Sequence, residues 1–256
     1  MKGKKKRMSK IKVMTVFGTR PEAIKMAPLV KELKSRKEIE CIVCVTAQHR
    51  QMLDQVLEVF DIKPDYDLNI MSQGQTLSDI TSKALKGLEQ VIQEVKPNIV
   101  LVHGDTTTTF AGTLAAYYNQ VDIGHVEAGL RTWNKYSPYP EEMNRQMVGV
   151  MADIHFAPTQ NSKNNLLKEG KNPKSIYVTG NTAIDALSTT IKEDYAHPAF
   201  KWLGNDKLIL ITAHRRENLG EPMRHMFKAI KKIVDEFQGI KAIYPVHLNP
   251  KVREIA

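Results

Sequence analysis

Short runs of β-branched and other apolar residues alternate with longer amphipathic segments along nearly the whole chain of 256 residues. The first strand-like run is IKVMTVF, and a helical pattern over residues 21–35 follows it. Further helical patterns cover residues 77–95 and 108–118, on either side of the strand-like run NIVLVH. Runs this apolar are typical of strands buried on both faces, as in a parallel sheet covered by helices. The alternation therefore predicts an α/β fold built from repeated β-α units.

An irregular segment interrupts this pattern towards the C-terminal end. Residues 192–206 show no periodicity and contain Pro198 and Gly204, so we expect a linker there. Residues 11–191 are then an N-terminal α/β domain, and residues 207–256 are the start of a second, C-terminal domain. Because two parallel strands do not form a domain of ordinary size, we expect this second domain to be incomplete and the chain to be truncated.

The formal net charge of +9 is concentrated in a short N-terminal leader. Seven basic residues fall within the first twelve positions, which contain no acidic residue. Such a leader is more typical of a solvated tail than of a nucleic-acid-binding arm, so we expect residues 1–10 to be disordered and no nucleic-acid partner. No apolar run approaches the length of a membrane span or follows the leader as a signal-peptide core. These features predict a cytoplasmic protein that does not bind a membrane.

The two cysteines, Cys41 and Cys44, have the spacing of a CxxC motif but lie in the strand-like run ECIVCVT. Residues three apart in a strand face opposite sides of the sheet, so these thiols cannot easily pair or share a metal ion. We therefore expect structural cysteines. Metal-ligand spacing, a nucleophile elbow and a Cys-His pair are all missing from the sequence, so we predict neither a metal site nor covalent serine chemistry.

Three carboxylates follow predicted strands, and we expect them to form one site. Asp105 lies in HGDTTTT, Glu127 lies in HVEAGLRT, and Glu141 opens a helix after a proline in YSPYPEEMNRQ. Each also has a structural interpretation. Asp105 is predicted to cap a helix, which would lower its pKa. A local ion pair with Arg131 is the alternative for Glu127, and a helix-surface pair with Arg145 is the alternative for Glu141.

Basic residues follow one strand in each unit. Arg20 lies in FGTRPE, where a strand meets a helix, and the N–H groups at a helix N-terminus favour an anion. The alternative for Arg20 is an ordinary turn with a surface arginine. In the second unit, TAHRREN places His214 and Arg215 at a strand end, which suits a diphosphate or a sugar hydroxyl.

Three further histidines are interpreted as structural. His103 and His125 lie within or at the ends of apolar runs and are predicted to be core histidines with satisfied hydrogen bonds. His247 ends the run KAIYPVH, where a lone histidine is more often structural than a ligand.

Six motifs, in this order and spacing, resemble the non-hydrolysing UDP-N-acetylglucosamine 2-epimerases of bacteria. They are FGTRPEAIKMAPL, HGDTTTT, HVEAGLRT, PEEMNRQ, GNTAIDA and TAHRREN. The resemblance implies two Rossmann-like domains in the glycosyltransferase-B arrangement. Residues 11–191 would form the N-terminal domain, and residues 207–256 would be the start of a C-terminal nucleotide-binding domain that is incomplete in this chain. It also implies interconversion of UDP-GlcNAc and UDP-ManNAc without a cofactor, by a homodimer, in the biosynthesis of cell-wall polysaccharide.

The resemblance implies site residues through its matching motifs. The catalytic residues would be Asp105, Glu127, Glu141 and His214, and the substrate-binding residues would be Arg20, Lys25, Arg145 and Arg215. An adjoining regulatory site would use Gln48, Gln51 and His247 together with Glu141 and Arg215. Members of the family with this regulatory site usually carry an arginine near the QTL triplet, where this chain has Gly74. That departure argues against regulation through this site.

The reaction implied by the resemblance explains the need for several carboxylates. Loss of UDP from C1 builds positive charge on the sugar ring and acidifies the C2 proton, so elimination gives 2-acetamidoglucal and UDP. Re-addition with protonation from the other face then gives the epimer. By the capping argument Asp105 is the weakest candidate for the base, and Glu127 or Glu141 is stronger. Two alternatives stay open: a glycosyltransferase-B sugar transferase, and a truncated remnant that is not catalytic.

Overall fold

The computed structural model describes residues 10–48, 50–191, 193–213, 218–247 and 249–256. These residues form two compact units, of which the first ends at Ile191 and the second runs to Ala256. The predicted leader, apart from Lys10, lies outside the described residues.

The first unit contains a seven-stranded sheet in which every paired neighbour is parallel. The strands are β1 (Ile11–Phe17), β2 (Ile39–Val45), β3 (Tyr66–Asp67), β4 (Ile99–His103), β5 (Asp122–Val126), β6 (Ile154–Ala157) and β7 (Ile176–Val178). Their order across the sheet is β3-β2-β1-β4-β5-β6-β7. The chain thus moves outwards from β1 in one direction and from β4 in the other. A crevice forms at the carboxyl ends of β1 and β4, because the connections after them diverge to opposite sides.

Helices cover both faces of this sheet. They are α1 (Arg20–Ser35), α2 (Arg50–Val59), α3 (Leu77–Val95), α4 (Thr107–Tyr118), α5 (Glu141–Met151), α6 (Gln160–Lys168) and α7 (Thr182–Thr190), with a short 3₁₀ helix at Pro173–Ser175. One apolar core lies between the sheet and α3, α4 and α5, and a second lies between the sheet and α1, α2 and α7. The predicted parallel α/β fold is therefore confirmed.

The predicted helices agree with the observed ones to within one residue. The helical patterns over 21–35, 77–95 and 108–118 correspond to α1, α3 and α4. Local signals explain the agreement, because the hydroxyl of Thr76 caps α3 at its N-terminus and Asp79 returns a hydrogen bond to the Thr76 backbone.

The two cysteines lie on opposite faces of the sheet, as predicted. Cys44 is fully buried in the core beneath α3 and α4, whereas Cys41 packs against the core beneath α1 and α2. Both thiols are free, and burial raises the pKa of Cys41 to about 11 and that of Cys44 to about 12. Thiols held in their protonated form are poor nucleophiles, so the structural interpretation is confirmed.

The second unit contains a pair of parallel strands, β8 (Lys207–Leu210) and β9 (Ile240–Ile243). Its helices are α8 (Pro198–Leu203), α9 (Glu221–Glu236) and α10 (Pro250–Arg253). Helix α8 lies inside the segment predicted as a linker. Pro198 opens this helix and Gly204 ends it with φ of 59°, so the residues that suggested a linker are the boundary signals of a short helix. Across the described ranges, no helix is long and apolar enough to cross a membrane.

Candidate functional site

Three loops meet at the carboxyl ends of β1, β4 and β5. The loop after β1 begins at Gly18, where an added Cβ would lie 2.0 Å from Oγ1 of Thr46 and 2.6 Å from Oγ1 of Thr108. The loop after β5 also requires a glycine. Gly129 has φ of 89°, and an added Cβ would lie 2.3 Å from the carbonyl oxygen of Ser162. The sequence therefore holds these loops in close contact with the elements around them.

One cavity of about 180 Å³ collects the three predicted carboxylates. It is lined by Thr19, Pro21, Glu22, Lys25, His103, Gly104, Asp105, Thr106, Glu127 and Glu141. The predicted substrate residue Lys25 shares the cavity with Asp105, Glu127 and Glu141. These side chains come from α1, from the loops after β4 and β5, and from α5, so the sheet topology alone brings them together.

Glu127 is held by contacts that are distant in sequence. Nζ of Lys25 lies 2.5 Å from Oε1 of Glu127, and Nδ2 of Asn181 donates to the same oxygen at 3.4 Å. The backbone of Glu127 has φ of 62°, a left-handed conformation that is rare outside glycine and concentrates at functional sites. The alternative pairing with Arg131 is wrong, because Arg131 is bound by Glu169 through Nε at 2.6 Å and Nη2 at 2.8 Å.

Asp105 does not cap a helix, so that interpretation is wrong. The cap of α4 is Thr106, whose hydroxyl accepts from the backbone N–H of Thr109 at 3.1 Å. Burial raises the pKa of Asp105 to about 6, opposed by the nearby Arg145 and assisted by neighbouring carboxylates such as Glu127. A carboxyl group with that pKa is suited to give or take a proton near neutral pH. Asp105 is therefore a stronger candidate for proton transfer than the capping interpretation suggested.

Asparagine at position 105 should stabilise the first unit more at pH 7 than at pH 4. The folded chain binds the Asp105 proton more tightly than an ordinary aspartate, whose pKa is 3.8, so ionisation opposes folding. This cost is absent below the unfolded pKa and grows until the pH passes about 6. We expect the gain of Asp105→Asn to increase by about 1–3 kcal/mol between the two pH values. Urea denaturation followed by circular dichroism measures it, and a gain independent of pH would contradict the raised pKa.

The two adjacent glutamates at the start of α5 occupy different environments. Glu141 lines the cavity, and it has no hydrogen-bond or ion-pair partner among the residues that the structure describes. Glu142 is fully buried and accepts hydrogen bonds from the backbone N–H groups of Thr132 and Trp133, each at 3.0 Å. Arg145 does not pair with Glu141 as the alternative interpretation required, since its Nη2 lies 2.8 Å from Oδ2 of Asp105.

A buried carboxylate that the sequence did not reveal ties two of the loops together. Glu22 is 2% exposed, and its Oε2 accepts from the backbone N–H groups of Gly18 and Thr19 at 3.1 and 2.8 Å. Its Oε1 accepts from the hydroxyls of Thr106 at 2.7 Å and Thr109 at 3.1 Å. Burial raises the pKa of Glu22. The capping-box spacing from Thr19 to Glu22 was a sequence signal for its contact with the backbone, but not for its contact with α4.

The interpretation of His103 as a satisfied core histidine is wrong. The residue is buried, but neither ring nitrogen has a hydrogen-bond partner in the described part of the chain, and Nε2 lies 3.7 Å from Oε2 of Glu127 in the cavity. His125 differs, because its Nε2 lies 2.7 Å from the carbonyl oxygen of Gly104, although its Nδ1 is also unpartnered. Burial lowers the pKa of both rings to about 3.

A larger cavity of about 350 Å³ adjoins the carboxylate cavity and shares Glu141 with it. Its lining includes two predicted residues, Arg20 at the start of α1 and Gln48 after β2. The predicted regulatory residue Gln51 lines a further cavity, beside Arg50, Met52 and Met71, and Met52 also lines the cavity of about 350 Å³.

The other residues named from the sequence are Gly74, His247, His214 and Arg215. His247 lies in the second unit, after β9. Gly74 has φ of 71° and open space around it, so the position is a turn that favours glycine. His214 and Arg215 lie outside the described residues. Within the ranges that the structure describes, no group of three or more His, Cys, Asp and Glu side chains is arranged to hold a metal ion.

Comparison with known proteins matches residues 31–256 to the family model described as UDP-N-acetylglucosamine 2-epimerase. A relative of that name from Bacillus subtilis is 68% identical over 97% of this chain and 66% of its own length. The solved S. aureus MnaA-UDP structure is 61% identical, with a TM-score of 0.87, over 96% of this chain and 65% of its own. The Neisseria meningitidis UDP-GlcNAc 2-epimerase bound to UDP-GlcNAc is 50% identical, with a TM-score of 0.85, over 96% of this chain and 68% of its own. The chain therefore spans about two thirds of the length of these relatives.

Proposed function

The chain belongs to the UDP-N-acetylglucosamine 2-epimerase family, and we propose that it interconverts UDP-GlcNAc and UDP-ManNAc. The observation that carries this proposal is the single cavity lined by Asp105, Glu127 and Glu141. Inversion at C2 requires that one face of the sugar loses a proton and the opposite face gains one, so more than one proton-handling group must reach the ring. Three carboxylates in one cavity meet that requirement.

In the proposed reaction, a carboxylate takes the C2 proton as the C1–O bond to UDP stretches and positive charge builds on the ring. The C–H electron pair forms the C1–C2 double bond, and the C1–O bond breaks with its electrons leaving on UDP. In the return step, the diphosphate oxygen of UDP attacks C1 while C2 takes a proton on its other face. The products of elimination, 2-acetamidoglucal and UDP, thus become UDP-ManNAc without a net change in protons or electrons.

The environments of the carboxylates suggest how the proton transfers are divided. Glu127, in an ion pair with Lys25, supplies an oriented carboxylate that can accept a proton. Asp105, with a pKa of about 6, is available in both forms near neutral pH and can donate on the opposite face. We therefore propose Glu127 and Asp105 as the two proton-handling groups, with Glu141 as the carboxylate that supports positive charge on the ring.

We propose UDP-GlcNAc and UDP as the ligands, because solved relatives of this chain are complexes with UDP and with UDP-GlcNAc. Lys25, which lines the carboxylate cavity, would bind the sugar end of the ligand, and Arg145 would act through its ion pair with Asp105. Arg20 would bind phosphate from the neighbouring cavity, at the helix N-terminus that favours an anion. The same neighbouring cavity would take a second ligand through Gln48 and Glu141, and Gln51 lines the cavity that shares Met52 with it.

Incubation with UDP-GlcNAc in heavy water, followed by NMR of the C2 proton, tests the proposed function. Deuterium at C2 is the expected result, because the reprotonation step draws its proton from an exchangeable group. Release of UDP only in the presence of a sugar acceptor would replace the proposal with a transferase. Binding without exchange or release would leave a nucleotide-sugar binding protein and overturn the epimerase proposal. Sedimentation velocity checks the predicted homodimer separately.

Glu141→Gln should lower the rate of deuterium exchange at C2 by about 100-fold or more while the fold persists. Glu141 forms no hydrogen bond or ion pair with the described residues, so its replacement by an isosteric amide breaks no such bond among them. The NMR assay measures the rate, and circular dichroism checks the fold. The exposed Glu38, the last residue of the α1–β2 connection, provides the matched control Glu38→Gln, which should leave exchange unchanged. Exchange retained in Glu141→Gln would make Glu141 a helix-surface residue.

A further inference from the structure

His103 is a buried side chain of the carboxylate cavity, and its ring nitrogens form no hydrogen bond with the described residues. It is 3% exposed, and neither Nδ1 nor Nε2 has a hydrogen-bond partner. Burying polar atoms without partners is costly, so native chains seldom retain them without a purpose. The ring is directed at the cavity, since Nε2 lies 3.7 Å from Oε2 of Glu127 and His103 belongs to the lining.

The backbone that carries His103 is fixed from two sides. Nε2 of His125 lies 2.7 Å from the carbonyl oxygen of Gly104, and Nδ2 of Asn144 donates to the carbonyl oxygen of Asp105 at 3.0 Å. Gly104 has φ of 67°, and a Cβ there would lie 3.5 Å from Oε2 of Glu127. The glycine therefore leaves the space beside this carboxylate oxygen free, and Nε2 of His103 lies 3.7 Å from the same oxygen.

The charge state of His103 follows from the groups around it. Burial lowers its pKa to about 3, and the ammonium of Lys25 adds to that effect. The other titratable groups facing the cavity are carboxyls: Glu22 on α1, Asp105 after β4, Glu127 after β5 and Glu141 on α5. The ring is therefore neutral at pH 7, with one nitrogen that donates a hydrogen bond and one that accepts.

The two oxygens of Glu127 face different neighbours. Oε1 is taken by Lys25 at 2.5 Å, and Oε2 faces Nε2 of His103. An Nε2–H proton is attracted to a carboxylate, whereas an unprotonated Nε2 would set a lone pair against it. The Nε2–H tautomer is thus the favourable one at this position, and a shift of under about 1 Å would bring the pair to hydrogen-bond distance.

We propose that His103 is a positioning residue for Glu127. As the neutral Nε2–H tautomer, it donates to Oε2 when a ligand fills the cavity, while Lys25 holds Oε1. The two donors together fix the plane of the carboxylate and leave its remaining lone pairs directed at the ligand. The catalytic consequence rests on the proposed function, since it concerns the carboxylate that accepts the C2 proton. The tautomer and its contact with Glu127 do not depend on turnover.

Three substitutions of His103 distinguish the role of Nε2 from that of Nδ1. The amide of glutamine reaches the position of Nε2, the amide of asparagine reaches only the position of Nδ1, and leucine offers no donor. We expect His103→Gln to keep the exchange rate within about fivefold of the parent chain. His103→Asn and His103→Leu should lower kcat by about 10- to 100-fold with KM changed less than about threefold, because they disturb proton transfer rather than ligand binding. His155→Gln removes another buried imidazole, outside the cavity lining, and should leave exchange unchanged.

NMR of the chain labelled with ¹⁵N at the histidine rings tests the tautomer without any turnover. We expect the His103 signals, assigned from their loss in His103→Gln, to show a neutral Nε2–H ring from pH 5.5 to pH 8.5. Glu127→Gln should shift these signals more than those of His155. A ring that is cationic at pH 7, or that carries its proton on Nδ1, would overturn the proposal, as would full activity in His103→Leu. The expected tautomer in a chain without C2 exchange would count against the proposed function instead.

Discussion

Replacing Glu142 with alanine should lower the free energy of unfolding of the first unit by about 3–5 kcal/mol. The carboxylate is fully buried and accepts from the backbone N–H groups of Thr132 and Trp133, and from Nε2 of Gln146 at 2.9 Å. Burial opposes its ionisation, but hydrogen bonds from Thr132, Gln146 and Trp133 outweigh it and lower the pKa of Glu142. Alanine removes the acceptor of two backbone N–H groups and of the Gln146 amide, and it removes the carboxylate that lies 3.6 Å from Nε of Arg145.

Urea denaturation followed by circular dichroism measures this loss, and hydrogen exchange in peptides from β4 and β5 assigns it to the first unit. The matched control is the neighbouring residue, because Glu141→Ala removes the same group from a position without partners in the described structure. We expect that control to change stability by less than about 0.5 kcal/mol. The pKa of Glu142 is lowered, so its contribution is present above its ordinary value of 4.5 and is lost in acid. If Glu142→Ala and Glu141→Ala lowered the free energy of unfolding equally, the structural role would not be confined to Glu142.

The different environments of Glu141 and Glu142 could not be predicted from the sequence. The β-α alternation, the helix bounds and the positions of the acids after strands all follow from local patterns in the chain. The environment of each acid does not. A helix start predicts that Glu141 and Glu142 lie in a first turn, but the loop at Thr132 and Trp133 that surrounds only Glu142 arrives from another part of the chain.

The ion pairs were mispredicted for the same reason. Sequence favours partners four residues apart, which suggested Arg131 for Glu127 and Arg145 for Glu141. The fold instead pairs Lys25 with Glu127, 102 residues away, and Arg131 with Glu169, 38 residues away. Such pairs depend on which loops the sheet order brings together, and a single sequence does not report that order.

Asp105 illustrates how one neighbouring residue reverses a prediction. Aspartate is a favoured helix cap, and a capping carboxylate has a lowered pKa. Thr106 is an equally good cap and lies one position nearer the helix, so Asp105 is left to point into the cavity. Its burial there raises the pKa to about 6. The same carboxylate changes from a structural cap to a candidate for proton transfer.

Glu127→Gln should produce the largest loss of activity, lowering C2 exchange by about 1,000- to 10,000-fold if the proposed function holds. The amide cannot accept the C2 proton, yet its oxygen can still accept a hydrogen bond from Nζ of Lys25, which lies 2.5 Å from Oε1. Binding of UDP-GlcNAc should therefore change by less than about fivefold. Single-turnover exchange in heavy water measures the loss, and calorimetric titration measures the binding.

Glu32→Gln is the matched control for this substitution, because Glu32 forms an exposed ion pair with Arg36 on α1, away from the lining of the cavity. An exposed pair of this kind contributes little, so the control should retain both exchange and stability. A rate in Glu127→Gln above a tenth of the parent rate would remove Glu127 from proton transfer. Asp105 would then become the leading candidate for the base, since burial places its pKa near the pH at which a carboxyl group both gains and loses protons.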